Sequence, residues 1–255
     1  MATPVQIPAG ESLYIHGLHS KPDGDPPEGQ DKILVIMVHG FPGNKESHGN
    51  VFANLDHILS DKHYHTLRFD FRGCGASDGQ AEDFTTDSAM QDFLNVLVWA
   101  KNQGYEHFMF ICEGLGATIA LMNAPEQALC YVLLWPVLDP PLVAKNIFKA
   151  GQIEDEWKKT GYVLIGEDRV GIPFIEQLEK IEITDAIGDL NKPVLIMHGA
   201  ADETSPISQL DIARANAGTR RMEITSFQDG THGLPQPNHR RSMFFHIAQF
   251  MEKYS

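Results

Sequence analysis

The distribution of apolar residues along the chain limits the fold more than any other feature. Short, unbroken apolar runs of strand length alternate with segments in which apolar residues recur every three or four positions. A strand buried on both faces is continuously apolar, and the second pattern is typical of an amphipathic helix. The strand-like runs span residues 33–39, 64–71, 107–112, 130–135, 193–198 and 222–227. The alternation predicts an α/β fold with a mostly parallel central sheet and helices on both faces.

Three segments have the clearest helical period. They cover residues 90–98, 115–123 and 243–254, and Thr85 or Thr86 is a possible N-cap for the first. The second helix begins directly after the third predicted strand, so only a tight turn separates the two elements.

Two stretches depart from the alternation. No helix separates the apolar residues around Val5 from those at 13–15, so we expect an antiparallel hairpin at one edge of the sheet. Residues 140–190 are about fifty positions, which is longer than an ordinary crossover loop. They contain helical patterns, and we interpret them as a helical cap inserted over the carboxyl edge of the sheet. The chain is thus predicted to be a single domain over residues 1–255, with 140–190 as the cap.

Composition excludes several functional classes. Apolar residues make up 42% of the chain, enough for a full core, and 20 Lys and Arg stand against 34 Asp and Glu. The formal charge of −14 disfavours nucleic-acid binding and binding to anionic membrane surfaces. The three cysteines do not form a disulfide framework. Residues 1–14 contain no basic and apolar leader pattern, so we expect a cytoplasmic protein.

Chemically distinctive residues follow five of the predicted strands. The motifs are His39-Gly-Phe-Pro-Gly43, Asp70-Phe-Arg-Gly-Cys-Gly-Ala-Ser-Asp-Gly79, Cys112-Glu-Gly-Leu-Gly116, Gly199-Ala-Ala-Asp202 and Asp229-Gly-Thr-His-Gly233. In open α/β sheets, functional groups gather at the carboxyl ends of the strands. In this order, the motifs resemble the α/β-hydrolase fold over about residues 10–254. The chain looks most like small, capped cytoplasmic esterases such as the cinnamoyl and feruloyl esterases.

The resemblance implies a role for each matching position. The backbone N–H groups of Phe41 and Leu115 correspond to the two donors of an oxyanion hole. Asp202 matches the acid of the family's triad, and His232 matches its base. The order nucleophile, acid, base along the chain is also that of the family.

The nucleophile of the family is missing from this sequence. The elbow motif G-x-S-x-G corresponds to Cys112-Glu-Gly-Leu-Gly116, which places Gly114 where the serine belongs. Cys112 stands where the family usually has glycine, and two departures in one motif favour natural divergence over a laboratory knockout. Glycine offers no attacking group, but it suits the strained backbone of an elbow.

No other residue is predicted to replace the serine. We expect Cys112 to be an inert core thiol, and Glu113 to be structural with its side chain turned away from His232. Cys74 and Ser77 lie on a loop that is expected to pack as a tight turn, and His39 is expected to be a structural hydrogen-bonding group. The 12 histidines include pairs such as 63/65 and 16/19, but none has recognised metal-ligand spacing. No metal and no cofactor are predicted.

These residues leave several functions open. The first is a carboxylic-ester hydrolase type of protein whose hydrolysis is impaired, is bypassed by a dyad of His232 and Asp202, or has been removed by engineering. The second is a non-catalytic pseudoenzyme that binds a small molecule, and the third is an interaction protein in which the pocket has no role. The expected ligand is a small apolar ester or carboxylic acid, with Trp157, Tyr162 and Phe174 in the pocket wall. The sequence does not indicate an oligomeric state.

Overall fold

A mixed sheet of eight strands forms the centre of the molecule. The computed structural model describes residues 2–24, 27, 29–147, 159–165 and 167–255. The strands within these ranges are β1 (Ala2–Pro8), β2 (Tyr14–Ser20), β3 (Ile33–Val38), β4 (His65–Phe69), β5 (His107–Glu113), β6 (Ala128–Leu134), β7 (Tyr162–Ile165), β8 (Asp168–Gly171), β9 (Val194–Gly199) and β10 (Met222–Phe227). The order in the large sheet is β1-β2-β4-β3-β5-β6-β9-β10. The pairs from β4 to β10 are parallel.

Helices cover both faces of this sheet. In the described residues they are α1 (Val51–Ser60), α2 (Thr86–Asn102), α3 (Leu115–Met122), α4 (Pro140–Ile147), α5 (Ile172–Leu178), α6 (Thr184–Asp189), α7 (Gln209–Asn216) and α8 (Pro237–Tyr254). None of the helices in the described ranges is long and apolar enough to cross a membrane. The expectation of a mostly parallel sheet between two helical layers is confirmed.

The predicted edge hairpin is also present. Strands β1 and β2 pair antiparallel, with Ile7 opposite Ile15, and β2 pairs antiparallel with β4. This edge is far from the carboxyl ends of β5 and β9, because β4 and β3 lie between it and β5. The hairpin therefore extends the sheet without contributing strand ends to its centre.

The core lies in two layers because side chains alternate along each buried strand. In β3, Ile36 joins the cluster that packs under α2 and α3, while its neighbour Met37 joins the cluster under α1 and α8. Every residue of β3 is buried. This two-sided burial explains why the strand reads as an unbroken apolar run in the sequence.

Helix α2 begins at one of its two predicted caps. The Thr85 side chain accepts a hydrogen bond from the Ser88 N–H (3.0 Å), and the Ser88 hydroxyl accepts one from the Thr85 N–H (2.9 Å). This reciprocal pair is a capping box, which satisfies N–H groups that have no partner inside the helix. The buried face of α2 is narrower than the sequence suggests, because Leu94 and Val98 are exposed.

The segment 140–190 contains more than the predicted helices. Helices α4, α5 and α6 lie in it, but β7 and β8 also form an antiparallel hairpin with Val163 opposite Val170. This hairpin was not predicted, because strands of four residues are too short to show a period. Trp157, predicted for the pocket wall, lies outside the described residues.

Candidate functional site

The turn from β5 to α3 has the backbone of a nucleophile elbow. Gly114 lies between the two elements with φ 51° and ψ −119°, a conformation that residues with a side chain adopt only under strain. A Cβ atom built on Gly114 meets only the Cα of Gly40, at 3.7 Å, within the surroundings that the structure describes. The position thus has room for a side chain, although the chain places none there.

Gly116, the second glycine of the motif, is required for a different reason, which is the lack of space for a side chain. A Cβ on Gly116 would lie 2.6 Å from the carbonyl oxygen of His39 and closer still to that of Val38. Helix α3 therefore contacts the end of β3 directly, and only glycine permits this approach. This packing fixes the start of α3 below the elbow.

The predicted acid and base are brought together across two loops. The Nδ1 of His232 donates to Oδ2 of Asp202 at 2.9 Å, since a carboxylate can only accept. The other oxygen, Oδ1, accepts from the N–H groups of Thr204 (2.9 Å) and Ser205 (2.8 Å). The Asp202 side chain is fully buried and that of His232 is 30% exposed. Among the described residues, Nε2 of His232 has no hydrogen-bond partner, so this ring nitrogen is free to act on a ligand.

The loop after β3 is held by His39. Its Nε2 accepts from the Phe71 N–H (3.0 Å), so Nδ1 carries the proton and donates to the Gly40 carbonyl (2.6 Å). Burial lowers the pKa of His39, which favours this neutral form. The Phe41 ring stacks on Phe84 with their centroids 3.9 Å apart. His39 thus has the structural role that the sequence suggested.

Two backbone donors border the elbow. The N–H groups of Phe41 and Leu115 have no hydrogen-bond partner within the part of the chain that the structure describes. Both residues line the same cavity as Gly114 and His232. Unpaired N–H groups beside a cavity can donate to a ligand oxygen.

The cavity above the elbow has a volume of about 470 Å³. Its apolar walls come from the strand ends and from the 140–190 segment, through Phe41, Val137, Val143, Ile165, Phe174 and Leu178. Phe174 was predicted at this place. Tyr162 does not line the cavity, because its ring packs under the guanidinium of Arg169 (4.9 Å) on the neighbouring strand. Ile165 and Asp168 are the hairpin residues that do so.

Glu113, whose side chain was expected to turn away from His232, borders the cavity. It is one of the residues that line it. Its Oε1 accepts from Nε1 of Trp135 at 3.3 Å. The Trp135 ring in turn lies 6.2 Å from the ring of His232, centroid to centroid. Trp135 therefore lies next to both Glu113 and His232.

Two residues near His232, Arg240 and His48, were not predicted from the sequence. The guanidinium of Arg240 donates to the carbonyls of Leu234 (3.0 Å), His48 (3.0 Å) and Gly233 (3.3 Å). It therefore ties the loop after His232 to the turn that carries His48. The ring of His48 lies 5.8 Å from the ring of His232. Neither residue belongs to a motif, so no sequence signal could have identified them.

The other possible nucleophiles are structural. Cys112 is fully buried in the apolar core, and burial raises the pKa of its thiol well above the usual value. Burial likewise raises the pKa of Cys74. The Ser77 hydroxyl donates to the carbonyl of Asp70 (2.6 Å) and accepts from the His16 N–H (2.8 Å). In the described structure, neither the two thiols nor the Ser77 hydroxyl forms a hydrogen bond with His232 or Asp202.

The histidine pairs noted in the sequence do not form a metal-binding site within the described residues. His19 and His65 each lie 2.7 Å from the hydroxyl of Tyr105, which bridges them. Among the described residues, no three or more His, Cys, Asp or Glu side chains lie where they could hold a metal ion. The Tyr105 cluster packs around its hydroxyl as an internal hydrogen-bonded group.

Comparison with known proteins agrees with this architecture. A family model described as the alpha/beta hydrolase fold matches residues 33–141, which include the loop after β3 and the elbow. The chain has the α/β-hydrolase fold. Est1E from Butyrivibrio proteoclasticus, in a structure with ferulic acid bound, superposes with a TM-score of 0.83 at 21% identity, covering 98% of each chain.

Curated proteins are also similar to this chain with the α/β-hydrolase fold. A 31.7 kDa Escherichia coli protein from the traX-finO intergenic region is 35% identical over 78 residues, which are 30% of this chain. The match spans about a quarter (26%) of that relative's length. An acyl transferase of Aliivibrio fischeri strain MJ11 is 23% identical over 239 residues, 78% of this chain and 75% of the relative.

Proposed function

We propose that the cavity binds the carbonyl group of a small, mostly apolar ester and hydrolyses it with a water molecule in place of the missing serine hydroxyl. One observation carries this proposal: the His232–Asp202 hydrogen bond (2.9 Å) presents a free imidazole nitrogen beside the unpaired N–H groups of Phe41 and Leu115. Ferulic acid in the Est1E structure and the acyl transferase name of the Aliivibrio relatives concern acyl compounds, and they support this substrate class.

The reaction needs no group that the site lacks. The ester carbonyl oxygen accepts hydrogen bonds from the N–H groups of Phe41 and Leu115, which stabilise the negative charge that develops on it. Nε2 of His232 takes a proton from water as the water oxygen bonds to the carbonyl carbon. The imidazolium then returns the proton to the departing alkoxide, so the products are the acid and the alcohol. Asp202 fixes the tautomer and stabilises the imidazolium.

The expected rate is far below that of a complete triad. Enzymes stripped of triad side chains keep roughly 10³–10⁴-fold catalysis over water, supplied by the oxyanion hole and by binding. Water held in a site is a poorer nucleophile than a positioned serine, because it is not fixed covalently. Activated esters with a good leaving group are therefore the substrates on which the activity is easiest to detect.

A second function is ligand binding without turnover. The absence of a side chain at Gly114 favours it, because a bound ester or carboxylic acid would not be consumed by acylation. The apolar cavity of about 470 Å³ accommodates a small ligand of either kind. Under this function the protein senses or carries its ligand.

Hydrolysis of 4-nitrophenyl butyrate by the purified protein tests the first function. We expect a rate above that of buffer. It should fall strongly in His232→Ala, which loses the base, and in Asp202→Asn, because an amide no longer fixes the imidazole tautomer. His57→Ala is the matched control, since His57 is an exposed histidine on α1. A rate that His232→Ala leaves unchanged would overturn the proposal, and binding without turnover in the unaltered protein would support the second function.

A further inference from the structure

Glu113 is a nearly buried carboxylate with one unsatisfied oxygen. The residue is only 7% exposed, and Oε1 accepts a single hydrogen bond, from Trp135. The other oxygen has no hydrogen-bond partner in the described part of the chain, yet it is not sealed from solvent. Glu113 is also one of the residues that line the cavity, and its Cγ lies 3.8 Å from a Cβ built on Gly40, another lining residue. A carboxylate that is only 7% exposed keeps little of its hydration, so a positive charge nearby is favourable.

No lysine or arginine side chain among the described lining residues supplies that positive charge. The described residues that line the cavity include no Lys and no Arg, whereas Asp168 adds a second carboxylate. Arg240 is near enough to feel the charge of Glu113, but its N–H groups are directed at backbone carbonyls, including those of Leu234 and His48. The cavity therefore carries negative charge that the described chain does not neutralise at close range.

The charge lies beside the place where a ligand carbonyl binds. Gly40 forms a shared wall: its Cα is 3.7 Å from a Cβ built on Gly114, and a Cβ built on Gly40 is 3.8 Å from the Cγ of Glu113. Glu113 also precedes Gly114 directly in the chain. A charged substituent one or two bonds from the carbonyl carbon would thus lie near the carboxylate.

We propose that the cavity selects carbonyl compounds that carry a positively charged nitrogen close to the carbonyl, and rejects anionic ones, with Glu113 as the residue that determines this specificity. The inference rests on the proposed function only in placing the ligand carbonyl between Phe41 and Leu115. A cation compensates the buried carboxylate, whereas a ligand carboxylate or sulfonate is repelled by it in a poorly hydrated site. A neutral ligand leaves the second oxygen without a partner.

Three primary amides of matched shape test the selection in the unaltered protein. Betaine amide carries a trimethylammonium group, 3,3-dimethylbutanamide is its neutral isostere, and sulfoacetamide is the anion. Amides resist hydrolysis, so isothermal titration and amide-proton NMR shifts report binding alone. We expect betaine amide to bind at least about tenfold more tightly than the neutral isostere, and sulfoacetamide to bind most weakly.

Two isosteric variants locate the source of the preference. Glu113→Gln removes the charge but keeps an acceptor for Trp135, and we expect the cation-to-neutral ratio to fall to about twofold or less. Asp168→Asn is the matched variant, and because Asp168 is exposed and screened by solvent, we expect it to change the ratio much less.

Several results overturn the inference. They are equal binding of the three amides, no binding of any of them, a preference unchanged in Glu113→Gln, or a preference lost only in Asp168→Asn. Failure of the proposed function has a different signature. Selective binding without ester hydrolysis would contradict hydrolysis alone, whereas hydrolysis that depends on His232 without charge preference would contradict charge selection alone.

Discussion

Single glycines decide the geometry of the turn between β5 and α3. Gly114 adopts a backbone that strains other residues but has free space above it, whereas Gly116 has no space for a side chain against the carbonyls of β3. The two positions therefore tolerate substitution for opposite reasons: conformational strain limits the first, and steric overlap with backbone limits the second.

Gly116→Ala should lower the free energy of unfolding by about 1–3 kcal/mol, because the methyl group overlaps backbone that cannot move away easily. Gly188→Ala is the matched control within α6, where a Cβ meets nothing nearer than 3.7 Å and alanine favours the helix. Urea denaturation of both variants measures the difference. Equal stabilities would show that α3 does not press on β3 as described.

The sequence identified residues whose position follows from motif order, and it missed those whose position depends on loop geometry. Asp202 and His232 are hydrogen-bonded, as the resemblance of their motifs to the hydrolase family implied, although their chemical roles stay predictions. The orientation of Glu113 and the convergence of Arg240 on the His232 loop depend on how three loops meet. No local sequence pattern predicts how these loops pack against one another.

At the scale of elements, burial on both faces made the central strands predictable. Strands β3 and β9 have every residue buried; β3 is apolar throughout, and β9 is apolar over its first four residues. The hairpin β7–β8 gave no such signal, since Val163 is buried while its neighbour Leu164 is 61% exposed over only four residues. Because Ile165 and Asp168 of this hairpin line the cavity, the ligand-facing wall was the least predictable part of the fold.

At the scale of the whole molecule, buried histidines couple stability to pH. Burial, with Lys21 and His65 adding to it, lowers the pKa of His19 from 6.5 to about 4, and burial also lowers the pKa values of His39 and His198. Between pH 6.5 and about 4 the unfolded chain binds a proton at His19 that the folded chain does not. The contribution of these groups is therefore complete above pH 6.5 and is lost as the pH falls.

Urea denaturation at pH 7.5 to 5 should show this loss. His19→Gln, which can still hydrogen-bond to Tyr105, should weaken the dependence of stability on pH, because the side chain no longer titrates. Stability that falls equally steeply in the variant would exclude His19 as a contributor. Stability that rises as the pH falls below 6.5 would contradict the account of the buried histidines.

We propose that the site has the elbow, N–H donors and His–Asp pair of a serine hydrolase and lacks the nucleophilic hydroxyl. Gly114→Ser supplies it at a backbone cost of about 1–3 kcal/mol, which an ordinary domain of this size tolerates. Cys112 is not within 4 Å of the built Cβ, so it does not obstruct the new side chain. Its thiol can stay in the core unchanged.

Intact-mass spectrometry after treatment with a fluorophosphonate probe tests this claim most directly. A serine oxygen activated by His232 attacks phosphorus and expels fluoride, which leaves one stable adduct. We predict no adduct on the unaltered protein, one per chain on Gly114→Ser, and none at matched times when His232→Ala is added. Labelling of the unaltered protein, or a folded Gly114→Ser variant that neither labels nor gains ester hydrolysis, would contradict the account.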